Sequence, residues 1–220
     1  KMMLTAGALL AGVVGEAKTV ALEPFKDGDT VVFFGDSITC GGYYHQYLSD
    51  YYHTRFPEAK IRLVNSGVSG DNAGGAQKRI ADDVTYYSPT WVLIHFGMND
   101  VGRGDHVRNQ SPAQKAHAAE CRACFERNLV VLSDKVRDAV PGVREIYATP
   151  TPYDDTAVIT NKGWKGSNWE GCNKALAGLG EYVEKTAEAR GVPSVNWHKP
   201  LNDFLQKRRD AGDMQFMFNA

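Results

Sequence analysis

No run of lysine and arginine exceeds the three residues Lys207-Arg208-Arg209, and 25 basic against 26 acidic side chains leave a formal net charge of −1 over 220 residues. That removes the electrostatic footprint that nucleic-acid or anionic-membrane binding needs, so neither partner is expected. Cysteine is scarce, with four residues. Zinc sites usually draw on two close-spaced pairs, and here only Cys121 and Cys124 are close, so no metal is expected. Cys40, Cys121, Cys124 and Cys172 allow three pairings. One disulfide in an exported protein and a set of buried free thiols both remain open. No Gly-x-x-x-x-Gly-Lys loop occurs, which denies a phosphate ligand its usual cradle.

Composition is otherwise ordinary. With 43% hydrophobic and 23% charged residues the chain is neither wholly disordered nor fibrous, and its length suits one domain with a sizeable core. The run MMLTAGALLAGVVG after Lys1 is too short to cross a bilayer as a helix and has the form of a signal-peptide core. Residues 1–17 are therefore expected to be an export segment, in a periplasmic or secreted protein, or else an N-terminal helix packed on the domain. Residues 18–220 are expected to form a single domain.

Five β-rich runs recur, at residues 30–35, 61–66, 91–97, 144–150 and 192–197. Their near-continuous apolar character is that of strands buried on both faces, which predicts a mostly parallel sheet. Helical patterns fall between them at residues 43–55, 75–86, 112–139 and 170–190; Ser111-Pro112 is a cap followed by a first-turn proline. This alternation predicts an α/β fold, a three-layer α/β/α sandwich on a mostly parallel five-stranded sheet of flavodoxin-like type. Two connections, residues 98–110 and 151–169, are long enough to suggest a function.

In an open parallel sheet, ligands collect beyond the carboxyl ends of the strands. There the chain places Gly35-Asp36-Ser37, then NSGVSGDN at residues 65–72, then Gly97-Met98-Asn99-Asp100. Chemically this is one hydroxyl with neutral donors and no cation. Ser37, at a strand-to-helix turn, is placed as a nucleophile. The free N–H groups that open the next helix, the Gly67 amide and the side chain of Asn99 suit a tetrahedral oxyanion, which points to acyl transfer.

These three blocks, in this order and at these wide spacings, resemble the SGNH or GDSL hydrolase family over roughly residues 30–220. The resemblance implies a serine esterase without a cofactor: Ser37 attacks an ester carbonyl, and the donors hold the oxyanion. It also implies an Asp-x-x-His block near the C-terminus that supplies the base. The chain reads DMQFMFNA to Ala220 without one, and the expectation is that this block follows. Without a base the Ser37 hydroxyl is a poor nucleophile. His198 follows the fifth run and is the histidine expected on the crevice side. His95 is expected in the core, and His45, His53, His106 and His117 on helix or loop surfaces.

Asp71, Asn72 and Asp100 adjoin the donors and are candidates for touching substrate or bracing the loops; Arg79 is expected to be a structural ion-pair partner. Tyr153 and Trp164, in a loop rich in amides and carboxylates, suit stacking on a sugar, although a loop pinned by its own aromatics has the same composition. A small-molecule or carbohydrate ester, first an acetyl ester, is the expected substrate. The alternative is an impaired protein of the same fold that binds carbohydrate or acts as a scaffold. Oligomeric state is left open.

Overall fold

The computed structural model describes residues 20–155 and 169–213. The expected export segment, residues 1–17, and Trp164 lie outside the described residues. Five strands, β1 (Thr30–Gly35), β2 (Arg62–Gly67), β3 (Trp91–His95), β4 (Arg144–Ala148) and β5 (Ser194–Val195), form one sheet in the order β2-β1-β3-β4-β5. Every pairing is parallel, and the order is the flavodoxin one. Helices are α1 (Ser37–Cys40), α2 (Tyr43–Arg55), α3 (Ala73–Ala76), α4 (Ile80–Asp83), α5 (Pro112–Ala139), α6 (Cys172–Ala189) and α7 (His198–Asp210).

Alternation along the strands builds two cores. Val32 and Phe34 of β1 turn to the face covered by α3, α5 and α6, where they meet Ile94, Tyr147, Leu129, Leu132, Leu176 and Val183. Val31 and Phe33 turn the other way with Trp91, Leu93 and Ile146, under Tyr44 and Leu48 of α2 and beside Trp197. This is the three-layer sandwich that the alternation predicted.

α5 starts where its sequence dictates. Ser111 Oγ accepts from Gln114 N at 3.2 Å, and Gln114 Oε1 accepts from Ser111 N at 3.0 Å, a closed capping box with Pro112 in the first turn. The amino ends of three strands are pinned together through Asp29, which accepts from Arg144, from Thr90 Oγ1 at 2.7 Å and from Trp91 Nε1 at 3.3 Å. The carboxyl ends are left to the loops.

Two expectations need correction. The helix expected over residues 75–86 is broken into α3, α4 and a 3-10 turn at Thr85–Tyr87. Arg79 leaves helical geometry at φ −114°, ψ 12°, and its guanidinium reaches back to the strand ends instead. The strand expected over 192–197 pairs only at Ser194–Val195; Trp197 and His198 instead donate their amides to Thr149 Oγ1, which turns the chain into α7. All four cysteines are free thiols, so the disulfide alternative is not realised. No helix among the described residues is long and apolar enough to cross a membrane.

Candidate active site

Ser37 is the first residue of α1, directly beyond β1. Asp36 caps that helix, its Oδ1 accepting from Ile38 N at 3.0 Å. Burial, opposed by the Ile38 amide and the Arg103 charge, pushes the Asp36 carboxyl up to about 6. Asp36 therefore orders the turn. Among the described residues no side chain hydrogen-bonds the Ser37 hydroxyl.

Gly67 ends β2 level with Gly35 of β1. A Cβ there would stand 2.1 Å from Cys40 N and 2.6 Å from the Thr39 carbonyl carbon, so the end of β2 lies against α1 and only glycine fits. The Gly67 amide was expected to face the crevice as a donor. In the structure it donates to Asn65 Oδ1 at 3.0 Å, while Asn65 Nδ2 donates to Thr39 O at 2.8 Å. An asparagine readily bonds the backbone two residues on, and this one joins the Gly67 turn to α1. An oxyanion would have to replace Asn65 Oδ1 at that amide.

Asn99 lies beyond β3. Its Nδ2 donates to Asp71 O at 2.8 Å, and an amide nitrogen carries a second hydrogen for a ligand. Its Oδ1 accepts from Arg103 at 3.3 Å, which fixes which way the amide faces. The Arg103 guanidinium lies 5.3 Å from the centre of the Trp169 ring, and Trp169 packs on Tyr153 at 5.5 Å. Tyr153 is half-buried. The two described ends of the second long loop thus meet beside the Asn99 loop. Arg103 was not singled out in the sequence, where it is one more charged residue in a polar loop.

Asp71, Asn72 and Asp100 brace these loops. Asn72 Oδ1 caps α3 by accepting from Gly74 N and Gly75 N at 3.0 and 2.8 Å. Asp100 Oδ1 accepts from Ala73 N at 3.0 Å, joining the third loop to the second. Its Oδ2 is buried without a partner among the described residues. Burial first, with the charges of Asp36 and Asp71 adding to it, pushes this carboxyl up to about 7.

Arg79 holds the floor together. It donates to Gly35 O at 2.9 Å, Ser66 O at 2.8 Å, Asp71 Oδ2 at 2.7 Å and Asp83 Oδ2 at 2.8 Å, and lies 4.3 Å from the centre of the Phe34 ring. One guanidinium therefore ties the ends of β1 and β2 to the Asp71 turn, the structural role its sequence position suggested.

The chain has six histidines, each engaged away from Ser37. Buried His95 is 3.4 Å from Thr39 Oγ1, and burial pushes it down to about 3. His198 Nε2 is 3.0 Å from Asn173 Oδ1, so its ring is engaged by α6 and not by Ser37. His45 lies edge-on to Phe33, His53 pairs with Ser49, His106 with Val101 O and His117 with Asp105.

A sheet of flavodoxin order with serine, glycine and asparagine at three adjacent strand ends, locked by loop-to-loop hydrogen bonds, defines the SGNH class of α/β fold. The GDSL-like Lipase/Acylhydrolase family pattern matches residues 33–216, and the chain belongs to that family. It is 35% identical over 91 residues to an acetylxylan esterase of Geobacillus stearothermophilus, covering 34% of this chain and 42% of that protein. Among solved structures it is similar to a gut microbial diltiazem-metabolizing enzyme, at 28% identity and a TM-score of 0.71, over 87% of this chain and 42% of the other. A lipase/acylhydrolase from Enterococcus faecalis shares the fold at 20% identity and a TM-score of 0.59, over 82% of each chain. The chain thus spans about two fifths of the length of the first two relatives.

Proposed function

We propose that the protein is a metal-independent serine esterase that forms an acyl-enzyme on Ser37 and releases a short acyl group, first an acetyl group, from a carbohydrate or small-molecule ester. The observation that carries this reading is the hydroxyl of Ser37 at the end of β1, with the Gly67 amide and Asn99 Nδ2 on the neighbouring strand ends. Oγ attacks the carbonyl carbon, and the carbonyl oxygen becomes an oxyanion held by the Ser37 and Gly67 amides and Asn99. Collapse expels the alcohol, and water then cleaves the acyl-serine. Losing one such donor costs roughly 100- to 1,000-fold in rate. Asn65 Oδ1 occupies the Gly67 amide until the oxyanion replaces it.

The proton of Ser37 needs an imidazole, and none of the six bonds Ser37 here. In this reading the base is the histidine of the Asp-x-x-His block that the family resemblance implies. Export, read from residues 1–17, fits a substrate outside the cytoplasm. Tyr153 and the aromatic residues of its loop suit the sugar face; an acetylxylan esterase among the relatives supports the same chemistry.

The test is turnover of p-nitrophenyl acetate and of acetylated xylo-oligosaccharides by the whole natural chain. Ser37→Ala abolishes turnover with an unchanged circular dichroism spectrum; retained turnover would sink the assignment. The unpartnered Ser37 hydroxyl favours a second reading, a protein of this fold that binds carbohydrate without hydrolysing it. That protein would bind the oligosaccharide and give no burst of p-nitrophenol.

A further inference from the structure

Asp105 and His117 stand twelve positions apart in sequence, yet the fold puts them in contact, and Cys121 joins them. A carboxylate oxygen of Asp105, a ring nitrogen of His117 and Cys121 Sγ all lie within 4.8 Å of one another. His117 and Cys121 stand one turn apart on α5 and so share a face. Asp105 ends the 3-10 turn Arg103–Asp105 in the loop after β3. His117 Nδ1 is 2.6 Å from Asp105 Oδ2, and Cys121 Sγ lies almost equally far from the two ring nitrogens, at 3.9 and 3.8 Å. Gly102 keeps the space open: at φ +68°, a Cβ on it would stand 2.9 Å from Cys121 Sγ and 3.0 Å from Asp105 Oδ2.

We propose that Asp105, His117 and Cys121 bind a borderline divalent cation of the Zn²⁺ type, which staples the loop carrying Asn99 to α5. One thiolate, one imidazole and one carboxylate form a mixed S, N and O set that suits Zn²⁺ or Co²⁺, whereas Mg²⁺ and Ca²⁺ take oxygen alone. Three protein ligands leave a fourth tetrahedral position to water. Bonds of roughly 2.0–2.3 Å require the His117 ring, which is largely exposed, to turn one nitrogen toward the ion. Binding displaces the Cys121 thiol proton and the proton between His117 and Asp105, both released to solvent. The staple acts on the candidate active site through Arg103, which opens the same turn and donates to Asn99 Oδ1. Sequence spacing could not show this site, because its ligands are not the paired cysteines that a zinc motif displays.

The test is titration of chelator-stripped protein with Co²⁺ under reducing conditions, followed by Zn²⁺ competition, with no reference to esterase activity. One Co²⁺ per chain is expected, with thiolate-to-cobalt charge-transfer absorption that Zn²⁺ abolishes. The band is lost in Cys121→Ser, affinity falls at least tenfold in His117→Gln and Asp105→Asn, and both persist in Cys124→Ser. Zn²⁺ at a hundredfold excess over Kd raises Tm by roughly 5–10 °C and slows alkylation of Cys121 but not of exposed Cys40. His117 is largely exposed, so His117→Gln keeps the test valid if Asp105→Asn does not fold. Absence of the band, its survival in Cys121→Ser, or cobalt binding without thiolate absorption would overturn the proposal.

Discussion

Replacing Arg79 with methionine keeps most of the side-chain stem on Phe34 and removes the guanidinium. Two backbone carbonyls, Gly35 O and Ser66 O, and the Asp71 carboxylate then lose the guanidinium together, although Gly35 O keeps the Val68 amide at 3.0 Å and Asp71 Oδ1 the Asn72 amide at 2.8 Å. The Asp83 pair is counted as nothing, because that carboxylate is about a third exposed, at 33%. Arg79 and Asp71 have side-chain exposures of 16% and 11%. Breaking a buried pair from one side costs about 3–5 kcal/mol. Some water access places this case at the lower end, about 3 kcal/mol, which corresponds to a fall in Tm of roughly 6–12 °C for a domain of this size. Urea denaturation of the wild type and Arg79→Met measures it. Arg79→Lys should recover less than half, since a single ammonium cannot span four acceptors. A loss below about 1 kcal/mol would show that the guanidinium is an ordinary solvent-screened partner, and the account of the site's floor would be wrong.

Gly67→Ala drives a methyl against the backbone of Thr39 and Cys40; with rigid atoms to displace, the cost should reach about 3 kcal/mol by thermal denaturation, and an unchanged Tm would contradict the close approach. Asp36 and Asp100 have carboxyls pushed up to about 6 and 7, so between roughly pH 4 and 7 the native state holds protons that the unfolded chain has lost. The stability they contribute is present below about pH 4 and declines as pH rises through 7. Urea midpoints across that range should fall less steeply in Asp100→Asn, and an equal slope would remove Asp100 from the account. Ser111→Ala opens the capping box of α5 and should cost about 1 kcal/mol in urea denaturation; no measurable loss would mean that the cap does not bear on stability.

Much of the architecture was legible because its signals are local. The β1 run is apolar on both faces, the start of α5 is written in Ser111 and Pro112, and parallel strands must deliver their carboxyl ends to one side. That geometry is why Ser37, Gly67 and Asn99 could be grouped from positions far apart in the chain. What escaped is set by tertiary contacts. Residues 75–86 have helical character, but the acceptors that draw Arg79 out of the helix lie on β1, β2 and the Asp71 turn. Asn65 reads as a strand residue until its side chain takes the Gly67 amide. Arg103 gains its meaning from Asn99 and Trp169, and Asp105 from a face of α5 that comes to it only on folding.

In the proposed reaction Ser37 carries the acyl group. Rapid acid quench of the whole natural chain during turnover of p-nitrophenyl acetate, followed by peptide mapping by mass spectrometry, tests it most directly. One acetyl group per chain is expected on the peptide containing Ser37, absent from Ser37→Ala. Acetylation at another residue, or turnover with no adduct at Ser37 and undiminished in Ser37→Ala, would contradict it.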